Sequence, residues 1–596
     1  MSGSYWNKRI SRRRVIGGTG SAAVGLAALF ALDCGGGSDS GDGGGASKGE
    51  FSVFEEKDTR KQAVKGGILP WYVKLDQPNL DPTTDGAGST SAPALGAYSR
   101  LLREQDRPWG EAKVEYTGDL AESWEASPDG LQYTFKLRQD AKFDPRPPTS
   151  SRPVDADDVV FTWGRFSTLS PFRTTLSNAA NPNSPIKSIT KVDSRTVVMQ
   201  LAYPWAPLFA ALSNIKFHII PREAESQFDP KTQTRGSGPW MLDQYQVGVS
   251  FQWRRNPNWF RKDVLYLDGY DEYVLPEYAT QQSQFNAQRL ALLLPNNAED
   301  LLAEARAQRS LEIQASPYLN GLGRMIGFGQ RPGTPLSDVR IRRAASMALD
   351  RDLFSEVDSG NKVLAGAGIP KDVFPDSHLS AAFGEFWLSP KDKSFGDGAK
   401  NFEHNVAEGL KLMSAAGFAN GLEVKGFHDD RNTFSRTEQV AIWIGMLKEV
   451  GLRVIDTPVE YNQFLNGYWV APLDKKGDFD GIIFGLHSSA QPHAAIQLFN
   501  TYHSKGGASA GRITFEGQSQ LDTMIEAVLR QTDPQKQKSD IWEIQKQQAQ
   551  LMINVPGEYA APEYTLRWPW VKEGGSWISK YSPRYLFTWI DEKKKA

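Results

Sequence analysis

Gly118-Asp119-Leu120-Ala121-Glu122-Ser123-Trp124-Glu125 leads into Asp129-Gly130-Leu131-Gln132-Tyr133-Thr134-Phe135-Lys136-Leu137-Arg138, and Lys142-Phe143 follows. Asp129-Gly130 is a tight-turn pair, so this stretch predicts a hairpin between Trp124 and a strand over Tyr133–Leu137. Downstream, Asp155-Ala156-Asp157-Asp158-Val159-Val160-Phe161 reads as a helix start capped by Asp155 or Asp157. Val192–Leu201 has strand character around a turn at Asp193-Ser194. Apolar residues at helical spacing predict a helix over Val339–Val357, capped by Ser337 or Asp338, with Asp350-Arg351 as a helix-closing pair. Asn405–Ala416 and Thr437–Val450 read as amphipathic helices, the second followed by Gly451 and a strand over Leu452–Ile455. Gln520–Gln550 supplies two more helices, broken around Asp533-Pro534. Helices and strands interleave in every third of the chain, which predicts an α/β fold.

The chain has 596 residues, and its hydrophobic content of 40% and charged content of 23% are those of a chain that folds. That length suggests several domains or lobes. A formal net charge of −2 argues against nucleic acid, which needs a basic face. Aromatics are abundant, with Trp 17, Tyr 19 and Phe 30. Most of them are expected to fill a core, and a minority to line a ligand pocket. Cys34 is the one cysteine, which excludes an intramolecular disulfide and a thiolate metal site.

The first fifty residues read as an address. Lys8, Arg9, Arg12, Arg13 and Arg14 precede an apolar run over Ser21–Leu32, the layout of a secretory signal and too short for a membrane span. Ser11-Arg12-Arg13-Arg14-Val15-Ile16 resembles the twin-arginine export motif; the alternative is an ordinary signal with extra positive charge. Residues 1–34 are therefore expected to be an export signal. Cys34 and the Gly/Ser/Asp tract over 35–50 resemble a bacterial lipoprotein: a lipidated cysteine, then a flexible tether. Ala31 and Asp33 depart from the usual lipobox, and the alternative is a cysteine removed with the signal. A Gly-rich coil of this length reaches about 20 Å, and two acyl chains on Cys34 would give stable attachment.

Several distinct phrases stand in order through the body, with no internal repeat. They are Lys65-Gly66-Gly67-Ile68, Leu80-Asp81-Pro82, the 118–143 stretch, and Asp155–Phe161. Gly236-Ser237-Gly238-Pro239-Trp240, Arg255-Asn256-Pro257 and Tyr266-Leu267-Asp268-Gly269 follow. Ser337-Asp338-Val339-Arg340-Ile341-Arg342-Arg343-Ala344, Ala348-Leu349-Asp350-Arg351 and Phe479-Asp480 complete the set. Together they resemble the extracytoplasmic solute-binding proteins of family 5, the peptide/nickel type, from Gly66 to Tyr564. Each phrase also has a plain structural meaning; Gly236–Pro239, for example, reads as a crossing turn where side chains would not fit.

The resemblance implies a bilobal periplasmic-binding-protein-like fold of type II, with an inserted subdomain and a hinge between the lobes. Lobe I would comprise 51–96, 233–313 and 556–596, its inserted subdomain 97–232, and lobe II 314–555. It further implies a monomer that closes on a ligand between the lobes and hands it to the permease of an ABC importer, in the periplasm or at the cell surface, without a cofactor. In peptide-binding members, an aspartate after a "GW" strand end pairs with the ligand's free amine. The corresponding stretch is Gly485-Leu486-His487-Ser488-Ser489-Ala490-Gln491-Pro492, with Leu486 for tryptophan and Ser489 near the aspartate position. The ligand contacts implied are Trp71, Tyr72, Tyr461, His487, Ser488 and Ser489. The ligand expected is peptide-like, with an oligosaccharide as the alternative and a metal chelate below both. His487, His493 and His503 are read as loop or surface histidines with no metal-ligand spacing. No GxSxG, HExxH or P-loop motif is present, and no enzyme is expected.

Overall fold

The computed structural model describes residues 50–595 except 55–56, 77–78, 85–90, 109–113, 215–216, 320–322, 330–332, 370–371, 432–436, 470–478, 487–490, 507–516, 574–575 and 578–582. The signal, Cys34 and the tether lie outside the described residues, as do His487, Ser488 and Ser489. No helix among the described residues is long and apolar enough to cross a membrane.

The first elements are β1 (Ile68–Val73), β2 (Ala121–Ala126), β3 (Gln132–Leu137), α1 (Ala156–Leu169), β4 (Ile186–Asp193) and β5 (Thr196–Leu201). β2, β3, β5 and β4 form one antiparallel sheet in that order. Trp124 stands opposite Phe135 across the β2–β3 hairpin, as the Asp129-Gly130 turn requires. Asp155 caps α1 by accepting the N–H of Asp157 at 3.0 Å, and the Asp158 carboxylate returns to the N–H of Asp155 at 3.0 Å. This capping box satisfies two donors that the helix start would leave bare.

β6 (Trp240–Gln246), β7 (Ser250–Arg255) and β8 (Gly269–Val274) follow. They form a second sheet in which β8 pairs in parallel with β1. The two sheets are joined through the sequence phrases. Asp81 of Leu-Asp-Pro is fully buried and pairs with Arg165 of α1 at 2.9 Å. Gly236 lies so close to Ala97 that a Cβ there would stand 1.8 Å from the Ala97 carbonyl oxygen, so only glycine allows the turn to cross.

α2 (Ala298–Ala307) and β9 (Glu312–Leu319) lead to β10 (Arg324–Phe328), α3 (Val339–Ala348), α4 (Arg351–Ser359) and α5 (Asn361–Gly366). Asp338 caps α3, accepting the N–H of Arg340 at 2.8 Å. The single helix expected over Val339–Val357 is two. Asp350 opens α4 by accepting the N–H of Leu353 at 2.9 Å, while the buried Arg351 reaches back to the Ser346 carbonyl of α3 at 3.1 Å. A residue that caps a new helix interrupts a pattern that periodicity alone carries through.

The chain continues with α6 (Val406–Ala415), β11 (Leu422–Asp429), α7 (Thr437–Glu449), β12 (Leu452–Val459) and β13 (Ile482–Leu486). It ends with α8 (Ala494–Tyr502), α9 (Gln518–Arg530), α10 (Pro534–Leu551), β14 (Asn554–Pro556) and β15 (Pro562–Arg567), before short terminal pieces. β12, β11, β13, β10 and β14 make a five-stranded sheet in that order. β11 is parallel to β12 and β13, and β10 runs against β13 and β14.

Three hydrophobic cores organise these sheets. One joins β1, β6, β7 and β8 with α2 and β15. Another lies between the five-stranded sheet and α3, α6 and α7, around Trp443 and Phe484. A third unites the β2–β3–β5–β4 sheet with α8, α9 and α10, so residues far apart in sequence share one interior. The architecture is α/β and bilobal, as the family resemblance implied. β9 pairs with β15, and their chain neighbours β10 and β14 pair in the five-stranded sheet, so two chain segments run side by side from one sheet to the next. α5 makes a further excursion. Phe354 of α4 belongs to the core around Trp443, while Leu364 of α5 and the following Ile369 are buried in the core around β1.

Candidate functional site

The three parallel strands of the five-stranded sheet end together at Asp429, Val459 and Leu486. Arg324, the first residue of β10, stands opposite Leu486 at the same edge. Ligands of open α/β sheets bind outside the carboxyl ends of the strands, where the chain leaves room for loops. Here that edge also borders the segments that cross between the lobes.

The residues that follow β11 and β12 bind each other. Asp429 is fully buried and accepts the N–H of Arg431 at 3.1 Å. Asp430 accepts the N–H of Tyr461 at 3.1 Å, fastening the end of β11 to the residue just beyond β12. Glu460 pairs with Arg431 at 3.5 Å, and the Arg431 guanidinium lies 5.3 Å from the centre of the Tyr461 ring. Arg431 keeps 61% of its side chain exposed. The edge therefore presents a guanidinium held over an aromatic face, with carboxylates on either side. Tyr461 leans on a satellite cluster in which Phe427 stacks on Tyr468 at 4.7 Å. This arrangement can receive an anionic group and an apolar side chain at neighbouring points.

Of the residues expected to contact a ligand, Tyr461 stands at this edge, and His487, Ser488 and Ser489 directly follow Leu486 but lie outside the described residues. Trp71 and Tyr72 are on β1 with ring centres 4.7 Å apart, packed into the first core. The Tyr72 hydroxyl accepts the N–H of Leu294 at 3.1 Å, and burial raises its phenol above the ordinary value. Arg431 and Asp430 were not singled out from the sequence. Their signal was Asp430-Arg431 directly after a strand, legible only once β11 and β12 are known to end side by side.

The histidines need correction. His493 and His503 flank α8 at opposite ends, and they are packing residues rather than loop or surface histidines. The Nδ1 of His493 caps α8 by accepting the N–H of Ala495 at 3.1 Å, and burial lowers its imidazole to about 4. His503 is 1% exposed and its Nε2 meets Glu526 at 3.2 Å. Among the described residues no group of His, Cys, Asp and Glu could hold a metal ion.

In the solved structures, DppA from Helicobacter pylori in complex with the peptide STSA superposes with a TM-score of 0.72 at 17% identity, covering 89% of this chain and 100% of that one. The likeness establishes the fold. In sequence, the heme-binding protein A of Haemophilus influenzae is 27% identical over 351 residues, which are 56% of this chain and 59% of that protein. The dipeptide-binding protein of Escherichia coli is 25% identical over 391 residues, 61% of this chain and 65% of the relative. The chain thus spans about three fifths of the length of these two relatives. Residues 115–509, well over half of the chain, match the family described as "Bacterial extracellular solute-binding proteins, family 5 Middle". The chain belongs to the bacterial extracellular solute-binding proteins of family 5.

Proposed function

We propose that the protein captures a peptide-like ligand between its lobes, outside the cytoplasmic membrane, and delivers it to the permease of an ABC-type importer. The observation that carries this is the meeting of Arg431, Tyr461 and Asp430 at the carboxyl edge of the five-stranded sheet. A guanidinium suits a peptide carboxylate, and an aromatic face suits an apolar side chain. Relatives named as dipeptide-binding and a similar fold solved with a bound peptide support the ligand class.

In this proposal Trp71 and Tyr72 form the wall of the first lobe, and Tyr461, His487, Ser488 and Ser489 that of the second. Residues 51–96, 233–313 and 556–596 are taken as lobe I with 97–232 inserted, and 314–555 as lobe II, except that β9 continues on the lobe I side to Leu319 and that Leu364 and Ile369 pack back into the core of lobe I. Ser489 cannot neutralise a free amine as an aspartate would. The carboxylates of Asp430 and Glu460, on the described part of the edge, are the alternatives. Twin-arginine export, lipidation of Cys34, a monomeric state and binding without a cofactor or catalysis complete the proposal.

Titration calorimetry of the body against tri- and tetrapeptides, their N-acetylated forms, and oligosaccharides of similar size tests it. Saturable peptide binding is the expected result. Binding confined to the oligosaccharides would overturn the ligand class.

A further inference from the structure

Away from the carboxyl edge, a small cavity lies where three separate stretches of the chain meet. Arg103, Asp106 and Asp119 line it from the first, Trp259 and Arg261 from the second, and Leu586 from the third. Its volume is about 10 Å³, on the scale of one water or one monatomic ion.

Two guanidiniums share one carboxylate there. Asp106 accepts Nη1 of Arg103 at 3.1 Å through one oxygen and Nη2 of Arg261 through the other. The Arg103 side chain is 18% exposed and that of Arg261 14%, so water screens neither well. Asp119 is a second carboxylate, but it accepts the backbone N–H of Arg100 at 2.8 Å. The guanidinium of Arg100, itself buried, adds to the positive side and donates to the Ser213 carbonyl at 2.8 Å. Glu104 and Arg107 pair with each other at 3.5 Å and leave the balance unchanged. Burial, and then the neighbouring Arg261, hold the Arg103 guanidinium below its ordinary value against the pull of Asp106 and Asp119.

Two buried donors are also left over. Trp259 is 2% exposed, and its Nε1–H meets no acceptor among the described residues. The same holds for the Nε–H of Arg103. The Arg261 guanidinium lies 5.5 Å from the centre of the Trp259 ring, which brings the cation and the indole to one place. A buried N–H without an acceptor is costly, and an under-compensated guanidinium more so. A water would answer the N–H groups but not the charge, and a polyatomic anion such as phosphate exceeds the volume. A monatomic anion answers both.

We propose that this cavity binds a halide ion, chloride, held by Arg103, Arg261 and the indole N–H of Trp259, and that the ion fastens the three stretches of chain to one another. Crystals of the protein grown in sodium bromide and read by anomalous scattering test the position. Thermal melting in sodium chloride against sodium gluconate, at constant ionic strength, tests the linkage. A bromide peak within hydrogen-bonding reach of Trp259 Nε1 and Arg103 Nε is expected, with a melting temperature that rises saturably with chloride. Trp259→Phe, which keeps an aromatic ring and loses the N–H, should raise the half-saturating chloride concentration about tenfold or more. Should Trp259→Phe fail to fold, Arg103→Gln makes the same comparison at a partly exposed position. A water in place of bromide, or a variant with native chloride sensitivity, overturns the proposal. So does a bromide peak with melting indifferent to chloride, which would mark an adventitious ion only. No peptide enters either measurement, so their failure leaves the proposed function standing.

Discussion

Replacing Arg431 by alanine should weaken ligand binding strongly while barely affecting the fold. Its side chain is 61% exposed, and its ion-pair partner Glu460 is 48% exposed at 3.5 Å. Such a surface pair is worth about 0–1 kcal/mol, and the contact with the Tyr461 ring about 0.5–1 kcal/mol, so the melting transition should hardly move. A charge-assisted hydrogen bond to a ligand carboxylate is worth about 1.5–3 kcal/mol, which is ~10–150-fold in Kd. Calorimetry on a bound peptide and its C-terminal amide, with native protein and Arg431→Ala, forms a double-mutant cycle. The amide should lose about as much affinity as the variant does, and the variant should no longer distinguish acid from amide. If Arg431→Ala still preferred the acid by the native margin, the carboxylate would lie elsewhere and the assignment of this edge would be refuted.

Tyr461→Ala should weaken binding by about 2–10-fold, the worth of one ring contact, with an unchanged circular-dichroism spectrum; unchanged affinity would remove the residue from the site. Gly236→Ala should destabilise the body by about 1–3 kcal/mol or prevent folding, because the new Cβ meets the Ala97 carbonyl, and thermal melting reads the loss. Arg165→Met should cost about 3–5 kcal/mol at neutral pH by leaving Asp81 buried without its partner. Burial pushes the Asp81 carboxyl up, but the hydrogen bonds and charge of Arg165 outweigh it and leave the group lowered. A lowered carboxyl contributes stability above its unfolded pKa and loses it as pH falls through the folded one. The native protein should therefore lose this contribution only below about pH 4, whereas in the variant urea unfolding should show it missing already at neutrality.

Local chemistry made much of the fold legible. Asp129-Gly130, Asp155 and Asp338 act over a few residues, and each forms the turn or cap expected of it, while α9 and α10 part at Asp533-Pro534 as read. Gly236 was readable as a crossing because no other residue fits against Ala97. What escaped was non-local. The break at Asp350 is hidden because apolar spacing continues across it, and α5 joins the first core through Leu364, a contact no pattern in its own segment declares. The site divides in the same way. Tyr461 was visible through the family resemblance, whereas Arg431 and Asp430 acquire meaning only because β11 and β12 end side by side. The reading of His493 and His503 as loop or surface residues failed because their packing comes from elsewhere: His493 caps α8, and the buried His503 meets Glu526 of α9.

Native mass spectrometry of the body from Phe51 onward, purified from its own host, tests the central proposal most directly when the released ligand is fragmented. A peptide, or a set of peptides of related length, is the predicted result. A glycan or a metal chelate in its place would contradict the assignment of this chain to peptide capture.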